Sequence, residues 1–408
     1  MNNLWIFNPD NDIALGNNLS NFTPPRNARL LREAGAMLMA WIAGEGDFIV
    51  GSSSVDAAWI ETVTPLSGKN IRVFTPDVAE HIESARPWGW SRAIADNLSR
   101  LGIPRSIMPD DNQIQRIREL SHRHSSVIIN QQLESYGIDV SMPIEVTDVT
   151  TLDELLRDGS GYVIKSPWSS SGRGVIYSDR MNHYRILDLS RGIIRNQGCI
   201  LVEPKLDKLL DFAMLFDISE AGAKYIGLSV FSTLPGGNYA GNIIASESHL
   251  NSLITRYVDA SVLEKTRSAL EVILTELIGD TYKGVCGIDM MAYADKSGSY
   301  RIAPCVELNL RNTMGYVSHR LARDIISHKL TGSMTVTYIG SNHDNSSGNT
   351  QSDNAQSGNA QSGDAQSGDA QAGNAQPTPI FDNQNRLISG SLSLIPPNNQ
   401  FDIRLSVD

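Results

Sequence analysis

The sequence is poor in cysteine. Its 408 residues include three cysteines, Cys199, Cys286 and Cys305, which are widely spaced and form no C-x-x-C pair. An odd number of cysteines at this spacing argues against a disulfide framework and against a zinc site. Because free thiols are typical of reducing compartments, we predict a cytoplasmic protein.

Basic clusters and long apolar runs are also missing. The net charge is −11, and the basic residues form nothing longer than scattered pairs such as Arg116 and Arg118, so the sequence does not indicate a nucleic-acid-binding surface. No apolar run approaches the ~18 residues of a membrane-spanning helix, and the N-terminus lacks the basic and apolar regions of a signal peptide. We expect a soluble protein without nucleic-acid or membrane partners, and the oligomeric state is left open.

Residues 1–115 have the pattern of an α/β domain. A short apolar strand at 4–7 ends in the turn-forming run NPDND, and a helix with apolar residues at helical spacing follows until Gly44. The next strand is predicted at 48–50 and a further one at 71–74. This βαβ pattern predicts a parallel sheet.

The region after this domain is predicted to be α+β. One helix is expected over about 114–133, followed by a strand that ends near residue 165. The longer strands after residue 198 predict a mainly antiparallel sheet. These strands are predicted at 199–203, 212–219, 224–231, 287–293 and 300–310.

Residues 341–385 are predicted to be a disordered linker. Within them, residues 352–376 are the pentapeptides SDNAQ, SGNAQ, SGDAQ, SGDAQ and AGNAQ, which contain no aromatic or branched aliphatic residue. Such a composition cannot form a core, and it offers no apolar position on which a solenoid could stack. In residues 386–408, the predicted strands LISGSLSLIPP and FDIRLSVD could pair with TVTYIG (335–340). The linker would then be an insertion in a small β-element.

A lysine and a glycine-rich loop adjoin each other in YVIKSPWSSSGRGV, residues 162–175. Lys165 ends the apolar strand, and Gly172 and Gly174 follow in the loop. The backbone N–H groups of such a loop can lie against phosphate oxygens, while the lysine supplies positive charge. Because the lysine precedes the glycines, this is not a Walker A loop. The alternative is a flexible hairpin tip with a solvated lysine.

Oxygen-bearing side chains share one strand face in CVELNL. Glu307 and Asn309 are two residues apart, and Asp289 lies on the strand that we predict beside theirs. Two carboxylates and an amide oxygen suit Mg²⁺, which takes waters and phosphate oxygens as its other ligands. Arg311, on the same face, could bind a phosphate or a developing oxyanion. The alternative is a solvated strand face, but an unpaired charge in the apolar run IAPCVELNL would be costly.

In this order, the strand lysine, the glycine-rich loop, the E-x-x-L of 203–206, the strand aspartate and the E-x-N-x-R of 307–311 resemble the ATP-grasp superfamily. The resemblance covers about residues 115–330. It implies two α+β subdomains, 116–198 and 199–340, which clamp ATP and are preceded by an α/β pre-grasp domain. It further implies an ATP- and Mg²⁺-dependent ligase that joins a small-molecule carboxylate to an amine or similar nucleophile through an acyl phosphate.

The resemblance also implies roles for individual residues. Lys165 and Arg311 would be catalytic, and Asp289, Glu307 and Asn309 would hold Mg²⁺. The nucleotide-binding residues would be Lys165, the loop residues Ser170, Ser171, Gly172, Arg173 and Gly174, the adenine-binding residues Glu203, Lys205 and Leu206, and Asp211 at the ribose. Residues 112–135 contain no lysine where the family often has an earlier phosphate-binding one, and Arg123 is the nearest substitute.

Two other functions stay open at this point. The same scaffold could transfer phosphate to a hydroxyl acceptor, or it could bind a nucleotide without catalysis. The identities of the donor and the acceptor are not indicated. The runs NPDNDIALG (8–16) and PGGNYAGN (235–242) could contact a substrate or be no more than turns.

Overall fold

A computed structural model describes residues 2–51, 54–169, 174–234, 237–327, 330–340 and 377–407. Its N-terminal strands are β1 Asn3–Ile6, β2 Phe48–Ile49, β3 Arg72–Val73 and β4 Ser84–Pro87, and its first helices are α1 Asn11–Asn17, α2 Arg26–Ala34, α3 Ser54–Ser67 and α4 Arg92–Arg100. The strands form a sheet in the order β3-β2-β1-β4. All of its described pairs are parallel, so the parallel sheet expected from the βαβ pattern is confirmed, with β4 as an additional strand.

The first two helices differ from the sequence prediction. The run NPDND leads directly into α1, which ends at Asn18 with a left-handed φ of 59°. The helix predicted to continue to Gly44 ends at Gly35, where an added Cβ would lie 2.5 Å from the Phe7 ring. The chain then forms a 3-10 helix over Ala36–Trp41, and all of its residues are buried.

The single helix predicted over about 114–133 is two helices in the structure. They are α5 Asp111–Leu120 and α6 His124–Ser135. Between them, the backbone N–H of Arg123 donates to the carbonyl of Pro167 (3.1 Å). The interruption therefore brings Arg123 to the start of the glycine-rich segment.

A second sheet of four strands is antiparallel. Its elements are β5 Ile144–Val146, β6 Tyr162–Lys165, β7 Val175–Tyr177 and β8 Ile200–Pro204, with α7 Val149–Leu156 and α8 His183–Gln197, and the strand order is β5-β8-β6-β7. Ile164, Ile200 and Val202 are buried in a core shared with Leu152 of α7 and Ile186 of α8. Because β8 pairs with β5 and β6, this sheet extends past residue 198, where the sequence prediction ends the first subdomain.

The largest sheet has nine strands, and its described pairs are antiparallel, as the sequence predicts. Its strands are β9 Asp207–Ser219, β10 Gly222–Thr233, β11 Tyr239–Ile244, β12 Gly284–Ala294, β13 Tyr300–Asn309, β14 Gly332–Tyr338, β15 Ile380–Phe381, β16 Leu387–Ser393 and β17 Phe401–Val407, in the order β13-β12-β9-β10-β11-β14-β17-β16-β15. The helices are α9 Glu247–Ile254, α10 Ala260–Ile278 and α11 Met314–Asp324. Phe212, Met214 and Phe216 of β9 are buried in a core with residues of α10, so Asp211 points to the opposite face. The helices in the described ranges, α10 included, all lack the combination of length and apolar content that crossing a bilayer requires.

The C-terminal strands extend this sheet instead of forming a small β-element of their own. β17 pairs with β14, as the sequence predicts, but β16 pairs with β17, and β14 also pairs with β11. The segment after β16 reaches the N-terminal part of the chain, where the indole N–H of Trp41 donates to the carbonyl of Leu394 (2.8 Å). Leu394, Leu405 and Val407 are buried in one core with Trp41 and Ile49.

The predicted linker falls mostly outside the described residues, which resume at residue 377. β15 belongs to the nine-stranded sheet, so the linker ends before residue 385.

Replacing residues 345–376 by a Gly/Ser linker a third as long should leave the melting temperature within a few degrees of the wild type. The replaced segment has no aromatic or branched aliphatic side chains to bury, and a threefold change in loop length alters the closure free energy by only ~1 kcal/mol. Thermal melts followed by circular dichroism would measure this. A matched deletion of residues 345–385 also removes β15 and should lower the melting temperature further. Equal and large losses in both variants would contradict the prediction.

Candidate functional site

Lys165 lies at the end of β6 beside Glu203 of β8. The Cα partners across these strands are Val163 with Glu203 and Lys165 with Leu201, which places Lys165 and Glu203 diagonally opposite. The Lys165 ammonium lies 2.5 Å from a Glu203 carboxylate oxygen, and both side chains are largely shielded from solvent. The predicted phosphate-binding cation is therefore held in place by a carboxylate.

The base of the glycine-rich loop is fixed by backbone geometry. Gly174 has a φ of +75°, and an added Cβ would lie 2.5 Å from the Ser166 hydroxyl oxygen, so a side chain at this position would be strained and would clash. The backbone N–H of Ser166 donates to the carbonyl of Gly174 (2.8 Å) and closes the loop at its base. The loop residues Ser170, Ser171, Gly172 and Arg173 lie outside the described residues.

Trp168 anchors the first half of this loop. Its backbone N–H donates to the Gln197 amide oxygen (3.0 Å), and its indole N–H donates to the carbonyl of Arg118 (3.0 Å). The Arg118 guanidinium lies 3.9 Å above the indole ring, a favourable cation–π contact. The start of the loop is therefore anchored to α5 and α8 through Trp168.

Arg123 connects the loop base to the strand that carries Glu307. Its Nε donates to the Ser166 carbonyl (3.0 Å) and its Nη2 to the Ser169 hydroxyl (3.2 Å). Its Nη1 lies 2.9 Å from a carboxylate oxygen of Glu307. The residue proposed as a substitute for the missing lysine therefore lies between the loop base and the predicted magnesium ligands.

Asp289 and Glu307 face each other across β12 and β13. They are direct Cα partners, and Asn309 lies two residues along the same strand, opposite Gly287. Removal from solvent and the nearby Glu307 carboxylate raise the pKa of Asp289 to about 7, against the opposing effects of Arg311 and a hydrogen bond from Asn309. The three predicted metal ligands therefore lie together, and burial next to a second carboxylate makes Asp289 easier to protonate than an exposed aspartate.

This set fits magnesium but does not enclose it. The described residues contain no group of three or more His, Cys, Asp or Glu side chains that could hold a metal. The predicted ligands are two carboxylates and one amide, which suits an ion that takes its other ligands from water and phosphate. Burial is the main cause of the raised pKa of Asp289 and the Glu307 carboxylate is the second, so a bound divalent cation would offset part of the repulsion between these two side chains.

Cys305 of β13 lies close enough to Lys165 and Glu203, and to Asp289 and Glu307, for all of these charges to affect its pKa. Burial raises the pKa of its thiol, the charges of Asp289, Glu203 and Glu307 raise it further, and Lys165 lowers it. All four charged groups therefore act on one buried sulfur. Lys165 and the acidic pair lie on the same side of the molecule, as the contacts of Arg123 also indicate.

Arg311 follows β13 and contacts the N-terminal part of the chain. Asp12 of α1 accepts a hydrogen bond from Nε of Arg311 at 3.0 Å and from its Nη2 at 2.8 Å. Burial alone would lower the pKa of Arg311, but Asp12, Glu307 and Asp289 together raise it, so the guanidinium stays charged near the acidic pair.

Comparisons with known proteins give the fold a name. No protein-family model matches the sequence, and no curated protein matches it. The biotin carboxylase–β,γ-ATP complex from Campylobacter jejuni matches 100% of this chain and 87% of its own, with 10% identity and a TM-score of 0.53. The chain has the ATP-grasp fold.

Two other solved structures match at lower TM-scores. N5-carboxyaminoimidazole synthetase from Staphylococcus aureus complexed with ADP has 12% identity and a TM-score of 0.45 over 83% of this chain and 82% of its own. L-amino acid ligase from Bacillus licheniformis has 11% identity and a TM-score of 0.42, and the match covers 100% of this chain and 94% of the ligase chain.

The predicted adenine-binding residues of this ATP-grasp fold lie where β8 leads into β9. Glu203 is paired with Lys165, while Lys205 is exposed and pairs with Asp179. The backbone N–H of Lys205 donates to the carbonyl of Gly161 (2.8 Å), and Leu206 is half-buried. Their role in binding adenine stays a prediction.

Asp211, the predicted ribose-binding residue, lies on the same face of the nine-stranded sheet as Asp289. It pairs with Lys208 at 2.5 Å and accepts a hydrogen bond from the Thr233 hydroxyl (3.2 Å). Its carboxylate contributes to the raised pKa of Asp289, so it lies within electrostatic reach of the acidic pair.

Asp12 is a partner of a predicted site residue, Arg311, that the sequence analysis did not single out. The run NPDNDIALG was seen as a turn or a substrate contact, and nothing in it indicates a partner for Arg311. The position of this run was the one sequence feature that could have pointed to Asp12. The run follows β1 of the parallel sheet, and ligands usually bind at the C-terminal ends of such strands.

Proposed function

We propose that this protein is an ATP- and Mg²⁺-dependent ligase that joins a carboxylate to an amine or a similar nucleophile through an acyl phosphate. One observation carries the proposal: Asp289 and Glu307 are cross-strand partners, and Arg123 connects Glu307 to the base of the glycine-rich loop. Carboxylates, cations and a loop suited to phosphate thus adjoin one another. The structure with the same fold from Campylobacter jejuni is a complex with β,γ-ATP, which supports the choice of nucleotide.

The nucleotide would lie between the two antiparallel sheets. Lys165 and the loop residues 170–174 would contact its phosphates, Glu203, Lys205 and Leu206 would bind the adenine, and Asp211 would bind the ribose. Asp289, Glu307 and Asn309 would hold Mg²⁺, which offsets phosphate charge when it is bound. The N-terminal parallel sheet would serve as the pre-grasp domain and contribute to the binding of the second substrate.

The reaction would proceed in two steps. A carboxylate oxygen of the donor attacks the γ-phosphorus of ATP, the bond to the β-phosphate oxygen breaks, and ADP leaves. The amine then attacks the acyl carbon, loses a proton, and expels inorganic phosphate. Lys165 and Arg311 would stabilise negative charge on the transferred group, and the loop would exclude water that would otherwise hydrolyse the acyl phosphate.

Hydroxylamine trapping would test this function. The protein is incubated with MgATP and pooled small carboxylic acids, amino acids and dipeptides, and ADP release is measured with and without hydroxylamine. We expect ADP release that depends on the pool, and a hydroxamate as product, because hydroxylamine intercepts an acyl phosphate. ATP consumption with a phosphorylated hydroxyl product and no hydroxamate would favour the phosphotransferase. MgATP binding without turnover would favour non-catalytic binding.

A further inference from the structure

The Arg311 side chain is hydrogen-bonded to a residue near the N-terminus. Asp12 accepts hydrogen bonds from Nε of Arg311 at 3.0 Å and from its Nη2 at 2.8 Å. The side chains of Arg311 and Asp12 are only 16% and 13% exposed. A bidentate pair of this kind fixes the plane of the guanidinium as well as its position, which a single contact would not.

The backbone beside Arg311 is also fixed by the N-terminal part. The backbone N–H of Asn312 donates to the carbonyl of Trp88 (2.8 Å), and its side-chain amide donates to the carbonyl of Pro87 (3.2 Å). An added Cβ on Gly89 would lie 3.1 Å from Cβ of Arg311, so the turn after β4 packs directly against this residue. Both the main chain and the side chain of Arg311 are therefore set by the N-terminal sheet.

These contacts leave part of the guanidinium available. Of its five N–H groups, Asp12 takes the one on Nε and one on Nη2, and the carbonyl of Asn312 takes one on Nη1 at 3.2 Å. Within the described ranges, one N–H on each terminal nitrogen is left for a ligand. The acidic pair Asp289 and Glu307 lies within electrostatic reach of the same guanidinium.

We propose that Asp12 is a positioning residue, which orients Arg311 so that its two remaining N–H groups bind an oxygen of the phosphoryl group in transfer. This inference rests on the proposed function, because it requires a phosphoryl group beside Arg311. Asp12 itself contacts no nucleotide in this arrangement and acts through Arg311.

Binding of orthovanadate to the protein saturated with MgADP would test the inference, because vanadate mimics a phosphoryl group and no second substrate is needed. Asp12→Asn keeps the shape of the side chain but removes its charge. We expect the affinity for vanadate to fall roughly 10- to 100-fold, because a misplaced guanidinium loses its charge-assisted contacts. The affinity for MgADP should stay within about twofold, since the adenine site is unaffected.

The matched control is Asp96→Asn, which removes the partly exposed ion pair between Asp96 and Arg100 of α4 (2.6 Å) in the N-terminal part of the chain without contacting Arg311. It should leave both affinities within about twofold of the wild type. In an Arg311→Ala background, adding Asp12→Asn should cause no further loss of vanadate affinity, because Asp12 then has nothing to orient. If Asp12→Asn does not fold, Asp12→Glu keeps the charge on a longer side chain and should show a partial loss.

Each outcome decides one question. Vanadate affinity in a folded Asp12 variant equal to that of the wild type would overturn the inference, as would a further loss when Asp12→Asn is added to Arg311→Ala. A wild-type protein that binds MgADP but not vanadate would also overturn it. A wild-type protein that does not bind MgADP at all would instead refute the proposed function.

Discussion

Glu307→Gln should reduce Mg²⁺-dependent ATP turnover by more than roughly 100-fold, because it removes one of two carboxylates from the predicted metal site while keeping its shape. ATP analogues should still bind, since Glu203 and Leu206 at the predicted adenine site are unchanged. The measurement is ADP release against Mg²⁺ concentration, together with calorimetric titration of a non-hydrolysable ATP analogue. Turnover at the wild-type level would contradict the assignment of Glu307 as a metal ligand.

The stability of this variant separates chemistry from folding. Glu307→Gln relieves the repulsion with Asp289 but also removes the ion pair with Arg123, so we expect only a small net change in melting temperature. Asp217→Asn, at an exposed carboxylate on the same sheet, is the matched control and should leave turnover unchanged.

Because the pKa of Asp289 is raised to about 7, protons compete with the metal below that pH. In the wild type, half-maximal turnover should therefore require more Mg²⁺ at pH 6 than at pH 8.

Lys165→Ala should weaken ATP binding roughly 10- to 100-fold, because a charge-assisted contact with phosphate contributes ~1.5–3 kcal/mol. The structure adds a consequence for stability: the substitution leaves the shielded Glu203 carboxylate without its partner, so the melting temperature should fall as well. Titration calorimetry with MgATP and thermal melts would measure the two effects separately.

A second substitution tests whether these effects are independent. Adding Glu203→Gln to Lys165→Ala should recover part of the lost stability, because no unpaired charge remains, but it should not recover ATP affinity. Lys283→Ala, at a lysine that pairs with Asp280 in the turn before β12, is a matched control for the loss of a lysine. An unchanged ATP affinity in Lys165→Ala would return the segment to an ordinary hairpin.

The features of the fold and site that follow from the local spacing of residues could be predicted from the sequence. Glu307 and Asn309 share a face because side chains alternate along a strand, and Asp289 is their neighbour because a short turn joins β12 to β13. The antiparallel pairing of the large sheet and the parallel pairing near the N-terminus also follow from the spacing of apolar residues. In these cases periodicity and short connections determine the contact.

The features that depend on distant packing were not predictable. Nothing local marks Asp12 as the partner of Arg311, since 299 positions separate them and their contact depends on how the N-terminal sheet packs. At the break between α5 and α6, the backbone N–H of Arg123 likewise donates to a distant partner, the carbonyl of Pro167 in the segment that follows β6. Periodicity over residues 114–133 cannot show that bond, so the sequence predicts one continuous helix.

The hydrogen bond from Trp41 to Leu394 has a consequence for how this chain folds during synthesis. The core around Trp41 and Ile49 is completed by Leu394, Leu405 and Val407, so the N-terminal half cannot close that core while the ribosome is still making the middle of the protein. Contacts of such long sequence separation are entropically costly and slow to form. Until residues 387–407 have been synthesised, the indole and aliphatic side chains near the N-terminus that this core later buries stay exposed to solvent. During that time we expect the nascent chain to be most prone to aggregate or to need a chaperone.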